Sequence, residues 1–175
     1  SFDRAIVIGT DDTIELLHRV SSFYLESDEI NLALRYLLKS YQIDNTSLAV
    51  LFDLGYCYER NNALDKSIRY YNEYLDINPF SASAWYNLGI VYTKLGRFDE
   101  ALEAYDYCIA VEPNYSSAYH NKGNTLASIE RYEEAVKVFA DLSELETDNP
   151  RVFALLGECY EKTDRLDLDL DAYNK

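Results

Sequence analysis

Histidines and cysteines are the residues of this sequence best suited to catalytic or metal chemistry, and their placement argues against both. His18 and His120 have no neighbouring cysteine or serine that would form a nucleophile pair. The cysteines, Cys57, Cys108 and Cys159, are odd in number and widely spaced, which favours buried thiols over a disulfide framework or a metal site. The sequence also lacks a calcium loop and a glycine-rich phosphate loop. We therefore predict no catalytic residue, no cofactor and no metal, and hence not an enzyme.

Composition favours helices as the elements that hold these residues. The chain has 175 residues, of which 48% are hydrophobic and 14% aromatic, so it is too apolar to be disordered. Three prolines and six glycines are too few turn-forming residues for the many turns of an all-β fold. The length is that of one domain or two.

The net charge of −15 excludes several classes of partner. It repels nucleic-acid phosphates and anionic lipid headgroups, so we predict no nucleic-acid binding. No apolar run approaches the roughly 18 residues that cross a bilayer, so we predict no membrane insertion. A cytoplasmic location is favoured, with a removed signal sequence left open. The acidity serves either solubility or a surface for basic ligands.

Glycines recur at a fixed interval of 34 residues, at Gly55, Gly89, Gly123 and Gly157. Apolar columns recur with them, which predicts repeat units at 14–47, 48–81, 82–115, 116–149 and an incomplete 150–175. Helical spacing of apolar residues predicts two amphipathic helices in each unit. A second column of small residues, Ala33, Ser67, Ala101 and Ala135, leads us to expect that the glycines of the first helix face it across a close helix contact.

Turns and breaks are marked at the same interval. We predict tight turns between the two helices near Asp28, Asn62, Gly96, Glu130 and Asp164. Pro79 and Pro113 cannot continue a helix comfortably, so they mark the break before the next unit.

Residues of the third unit carry a family resemblance: Trp85, Leu88, Gly89, Tyr92, Ala101, Tyr105 and Pro113. This pattern resembles the tetratricopeptide repeat (TPR), and the resemblance covers residues 14–175. It implies an all-α fold, a right-handed α-solenoid of about five stacked, antiparallel helix pairs, in which the first helices line a concave groove. Segment 1–13 is then the tail of an upstream repeat helix or an N-terminal cap. The last unit departs from the pattern at Asp169, where alanine is usual.

The resemblance also implies where a peptide would bind. The candidate peptide-binding groove comprises Phe52, Tyr56, Glu59, Tyr86, Asn87, Ile90, Thr93, His120, Asn121 and Asn124. The alternative is that the aromatic members fill gaps between units, and that the asparagines carry no ligand. The carboxylate clamp of chaperone-binding TPR domains is missing, because Leu155 replaces a required asparagine.

Two functions remain open at this stage. The first is a non-catalytic protein-protein interaction scaffold that binds a peptide or partner protein in the concave groove. The second is a structural spacer or oligomerisation segment of a longer TPR protein, with end-to-end self-association through segments 2–8 and 166–173.

Overall fold

A computed structural model of the chain describes residues 10–163, and all of its regular elements in that range are helices. The helices are α1 (Thr10–Glu26), α2 (Ile30–Ile43), α3 (Leu48–Arg60), α4 (Leu64–Ile77), α5 (Ala82–Lys94), α6 (Phe98–Val111), α7 (Ser116–Ser128), α8 (Tyr132–Leu145) and α9 (Pro150–Lys162). The predicted all-α fold class is confirmed.

Each pair of helices is closed by a turn with a left-handed residue. Asp28, Asn62, Gly96 and Glu130 have φ between 55° and 71°, at intervals of 34 residues. In the first of these turns the N–H of Glu29 donates to the carbonyl of Tyr24 at 2.8 Å, which is the long hydrogen bond of a Schellman motif. Four of the predicted turns are therefore confirmed, and the fifth, near Asp164, lies outside the described residues.

The connections between pairs are held by side chains. Pro79 and Pro113 lie in the four-residue segments that precede α5 and α7. The indole N–H of Trp85 donates to the carbonyl of Pro79 at 2.8 Å, and the hydroxyl of Tyr119 donates to the carbonyl of Pro113 at 3.0 Å. Helices α5 and α7 thus each hold, by one hydrogen bond, the loop that precedes them. The predicted breaks at the two prolines are confirmed.

The chain forms two compact units, with the boundary inside α5 between Val91 and Tyr92. In the first unit α1 packs on α2, α2 on α3 and α3 on α4. In the second, α6 packs on α7, α7 on α8 and α8 on α9. The connections within each helix pair are three residues long, so the pairs that lie inside one unit, α1 with α2, α3 with α4 and α7 with α8, run antiparallel. Each unit has its own apolar core, centred on Leu37, Leu51 and Leu54 in the first and on Leu126, Phe139 and Leu142 in the second.

Two of the repeated glycines, Gly55 and Gly123, make room for aromatic rings, which differs from the expected contact with the column of small residues. A Cβ on Gly55 would lie 2.8 Å from the ring of Tyr71, and one on Gly123 would lie 2.5 Å from the ring of Phe139. The small column does come close, since the hydroxyl of Ser67 donates to the carbonyl of Gly55 at 2.7 Å. The space left by the missing side chain is nevertheless filled by a ring of the second helix.

In the first helix pair, the side chain on the first helix is larger and the side chain on the second helix is smaller than at the equivalent positions of the other pairs. Ser21 stands where the others have glycine, and Leu37 stands where they have an aromatic ring. Both side chains are fully buried. A larger residue on the first helix is thus accompanied by a smaller one on the second.

Two further predictions concern the two ends of the chain. Helix α1 begins at Thr10, so it includes the last four residues of segment 1–13. Segment 2–8, proposed as part of an upstream helix, and the unusual Asp169 lie outside the described residues.

Candidate peptide-binding surface

A pocket of about 420 Å³ opens on the first unit, where α1, α3 and the end of α4 meet. We call it the Phe52 pocket, and its lining consists of His18, Ser22, Leu48, Ala49, Phe52, Asp53 and Tyr74. Six of its seven lining residues lie on the first helices α1 and α3, and Tyr74 lies on α4. Of the predicted groove residues, Phe52 is the one found in its lining.

The aromatic wall of the pocket is held in place from behind. The ring of Phe52 makes edge-to-face contacts with Tyr71 and Tyr74, each at 5.7 Å between ring centroids. Such pairs are favourable because the positive edge of one ring meets the negative face of the other. Phe52 is half-buried. It therefore both packs against its own unit and presents surface to the pocket.

The polar wall is a hydrogen-bonded pair, His18 and Asp53, that joins neighbouring first helices. Nε2 of His18 lies 3.0 Å from Oδ2 of Asp53, and the two side chains are 32% and 24% exposed. The hydrogen bond to Asp53 raises the pKa of His18 above its ordinary value, and partial burial opposes this. Among the described residues, no hydrogen bond or ion pair is made to the second oxygen of Asp53, Oδ1.

The remaining predicted residues of the first unit, Tyr56, Glu59, Tyr86, Asn87 and Ile90, are all half-buried. The hydroxyl of Tyr56 accepts a hydrogen bond from Arg60 at 2.9 Å. Asn87 hydrogen-bonds the hydroxyl of buried Tyr71, whose pKa is raised chiefly by burial. The side chain of Asn87 is thus in contact with a core hydroxyl.

In the second unit, the predicted residues Thr93, His120 and Asn121 are half-buried and Asn124 is exposed. The hydroxyls of Thr93 and Tyr105 hydrogen-bond at 3.2 Å. The carbonyl of Asn121 accepts a hydrogen bond from the hydroxyl of Thr125 at 2.7 Å.

His120 belongs to a polar cluster that sequence reasoning did not find. Its Nε2 lies 3.5 Å from Oε2 of Glu146, which also accepts a hydrogen bond from the amide of Asn149 at 2.6 Å. Hydrogen bonds from Asn149, Ser116 and His120 lower the pKa of Glu146, with the bond from Asn149 contributing most. The cluster joins α7 to the connection that leads into α9.

Sequence reasoning also missed most of the Phe52 pocket. Its groove assignment used first-helix positions alone, whereas Tyr74 enters the pocket from a second helix. A signal existed in the repeat: the column of Tyr74 otherwise holds Ser40, Cys108 and Leu142. His18 occupies the same column as Phe52, so its place in the pocket could also have been found.

The cysteines behave as buried thiols, as predicted. Cys57, Cys108 and Cys159 are buried and unpaired. Burial raises their pKa values to about 12, about 12 and about 11, so the reactive thiolate is disfavoured. Within residues 10–163, no cluster of side chains suits a metal ion, and no helix combines the length and apolar character that crossing a membrane requires.

Comparison with protein families identifies the class. Models of the tetratricopeptide repeat match residues 31–82, 82–115 and 104–137. Together these matches span more than half of the chain, so the protein belongs to the tetratricopeptide repeat family. No curated protein matches the chain.

Solved structures share the fold at low sequence identity. The crystal structure of MamA protein has a TM-score of 0.87 at 19% identity, covering 94% of this chain and 90% of that one. MamA from Desulfovibrio magneticus RS-1 gives 0.82 at 19% identity, covering 92% and 91%. YrrB, described as a TPR protein with an unusual peptide-binding site, gives 0.77 at 19% identity, covering 94% and 89%. These similarities show an all-α helical-repeat fold. Membership of the tetratricopeptide repeat family supports, in general terms, a protein-interaction scaffold.

Proposed function

We propose that the protein is a non-catalytic scaffold that binds a peptide or a segment of a partner protein on the surface formed by its first helices. The observation that carries the proposal is the Phe52 pocket, which opens where two first helices and the end of α4 meet. YrrB, with the same fold, is described as having a peptide-binding site, which is consistent with this use of the scaffold. The cytoplasmic location stays a prediction.

The physical chemistry of the pocket suits an anchoring side chain. Its volume of about 420 Å³ falls within the range of ordinary ligand pockets, roughly 300–1,000 Å³. Its walls combine apolar and aromatic surface with one ion pair, the mixture that gives both affinity and orientation. Because Phe52 is already held by Tyr71 and Tyr74, little side-chain entropy is lost when a ligand packs on it.

The second candidate function, a spacer or self-associating segment, is favoured by a different surface. Helix α1 carries an apolar pocket of about 480 Å³ lined by Leu16, Arg19, Val20, Phe23 and Tyr24. Phe23 is 62% exposed, which is unusual for a large apolar side chain. A face of this kind would be covered if the chain associated end to end.

Selection from a random peptide display library tests the first function. We expect the protein to enrich a sequence family, and Phe52→Ala to abolish binding of the enriched peptides because it removes the aromatic wall. Phe80→Ala is the matched control, since Phe80 is 80% exposed in the connection before α5 and lies outside the pocket. Circular dichroism checks that each variant is folded.

The outcomes separate the two functions. Enriched peptides that bind the Phe52→Ala variant as tightly as the unaltered protein would place binding elsewhere. Failure to enrich any peptide, together with a sedimentation coefficient that rises with protein concentration, would favour self-association instead. If Phe23→Asp then abolished that rise, the exposed face of α1 would be the contact.

A further inference from the structure

We infer that the Phe52 pocket takes a basic side chain, an arginine or a lysine, of the bound peptide, with Asp53 as its counter-charge and the rings of Phe52 and Tyr74 as its walls. This inference rests on the proposed function and adds the chemistry of the ligand.

Asp53 supplies the first argument. Its carboxylate lines the pocket and is 24% exposed, so it is accessible to a ligand yet partly shielded from water. His18 occupies Oδ2, and Oδ1 has no hydrogen-bond or ion-pair partner among the described residues. Carboxylates bind guanidinium and ammonium groups through short, charge-assisted hydrogen bonds. An oxygen that accepts no protein hydrogen bond is therefore available to a cationic group in the pocket.

The aromatic residues supply the second argument. Phe52 and Tyr74 both line the pocket and lie nearly edge to face, at 64° between their planes. The face of an aromatic ring attracts a cation through its quadrupole, and it also packs well against a planar guanidinium. Leu48 and Ala49 add apolar surface for the methylene stem of such a side chain.

Overall charge supplies the third argument. A chain with a net charge of −15 repels anionic peptides and attracts cationic ones before contact. At physiological salt this attraction is screened beyond roughly 8 Å, so it acts on the association rate and on the choice of partner. An anionic anchoring residue would have to approach against the overall charge.

The combination belongs to one repeat. One repeat later, the positions of Phe52, Asp53 and Tyr74 hold Tyr86, Asn87 and Cys108. Two repeats later they hold His120, Asn121 and Leu142. Among these three repeats, only the second combines a carboxylate with two aromatic rings at these positions. This is expected for a site that accepts one particular side chain.

The test is a nuclear magnetic resonance titration with three acetylated, amidated tripeptides: Ala-Arg-Ala, Ala-norleucine-Ala and Ala-Glu-Ala. We expect the arginine peptide to shift the amide signals of Phe52, Asp53 and Tyr74. It should bind roughly tenfold more tightly than the norleucine peptide, because only the former makes a hydrogen bond between charged groups. The glutamate peptide should bind least.

Three variants sharpen the result. Asp53→Asn keeps an acceptor for His18 and should weaken binding of the arginine peptide roughly tenfold while leaving the norleucine peptide unchanged. Asp76→Asn removes the same charge from an exposed site of the same unit and should have little effect, because solvent screens it. Tyr74→Leu keeps apolar volume but removes one ring, so it should reduce the preference for arginine.

Several results would overturn the inference. One is equal binding of the arginine and norleucine peptides at the same amides, which would leave an apolar peptide pocket and so spare the proposed function. A second is equal loss of arginine binding in Asp53→Asn and Asp76→Asn, which would reduce the effect to overall charge. The absence of binding by all three peptides would overturn it as well, and the display selection then decides the proposed function separately.

Discussion

The contact between a repeated glycine and an aromatic ring yields the most demanding prediction. In Gly123→Ala, the new Cβ would lie 2.5 Å from the ring of Phe139, about 0.9 Å inside ordinary van der Waals contact. Phe139 is fully buried, so any movement of its ring away from the new methyl group takes place within the core. Overpacking of a core typically costs about 1–3 kcal/mol.

Helix propensity acts in the opposite direction. Gly123 lies inside α7, where replacing glycine with alanine is worth about 1 kcal/mol in favour of the helix. The steric term exceeds this gain because a separation of 2.5 Å is shorter than real Cβ atoms adopt. The difference between the two terms leads us to expect that Gly123→Ala lowers the free energy of unfolding by up to about 2 kcal/mol.

A second substitution tests the cause. Phe139→Leu should cost about 1–2 kcal/mol alone, because it leaves unfilled core volume. In the double variant the new methyl group occupies part of that volume, as the serine and leucine of the first helix pair do. The two changes should therefore cost less together than the sum of their separate effects, with a coupling energy of about 1–3 kcal/mol.

Chemical denaturation followed by far-ultraviolet circular dichroism measures the free energy of unfolding of the unaltered protein, the two single variants and the double variant. Gly55→Ala provides a second instance, since its Cβ would meet the ring of Tyr71 at 2.8 Å. Strict additivity of Gly123→Ala and Phe139→Leu would refute the reasoning. A more stable Gly123→Ala protein would do so too, because helix propensity alone would then account for the position.

Three further predictions concern turns, a buried hydroxyl and pH. Glu130 has φ of 63°, so Glu130→Gly should stabilise the protein by about 1 kcal/mol. Gly96→Ala should destabilise it by a similar amount, because Gly96 also has positive φ. Thermal melts compare the melting temperatures of the two variants with that of the unaltered protein. Ser40→Ala should stabilise by about 1 kcal/mol, because the buried Ser40 hydroxyl has no hydrogen-bond partner among the described residues; a lower denaturation midpoint would contradict this. The raised pKa of His18 means that its pairing with Asp53 contributes fully below the unfolded value near 6.5 and is lost as pH rises through the folded pKa. The stability difference between the unaltered protein and His18→Gln should therefore shrink with rising pH, from a value under about 1 kcal/mol, and a constant difference would exclude the pair as its source.

The repeat architecture was accessible from sequence because its signals are local or strictly periodic. Asn62 and Gly96 have positive φ and are of residue types that tolerate it, so these two turns can be predicted from residue type alone. Asp28 is also of a type that adopts positive φ, whereas Glu130 is placed only by the 34-residue register, because glutamate has no such preference.

The candidate site was less accessible. Phe52 could be assigned to the groove because one helix determines which way a position faces. Asp53 and Tyr74 were not assigned to it, because their contacts depend on neighbouring helices that bring His18 to Asp53 and Phe52 to Tyr74. The hydrogen bond between Asn87 and the hydroxyl of Tyr71 likewise depends on the packing of two helices, and the assignment of Asn87 to the groove stays a prediction.

By itself, the sequence determined the helical class, the repeat length, the turns and the burial of the thiols, since each follows from spacing along one chain. Tertiary structure alone decided what the glycines accommodate and which side chains form the Phe52 pocket. The reason is that periodicity specifies which face of a helix a residue occupies, whereas the identity of its partner depends on side-chain sizes and rotamers across the helix interface.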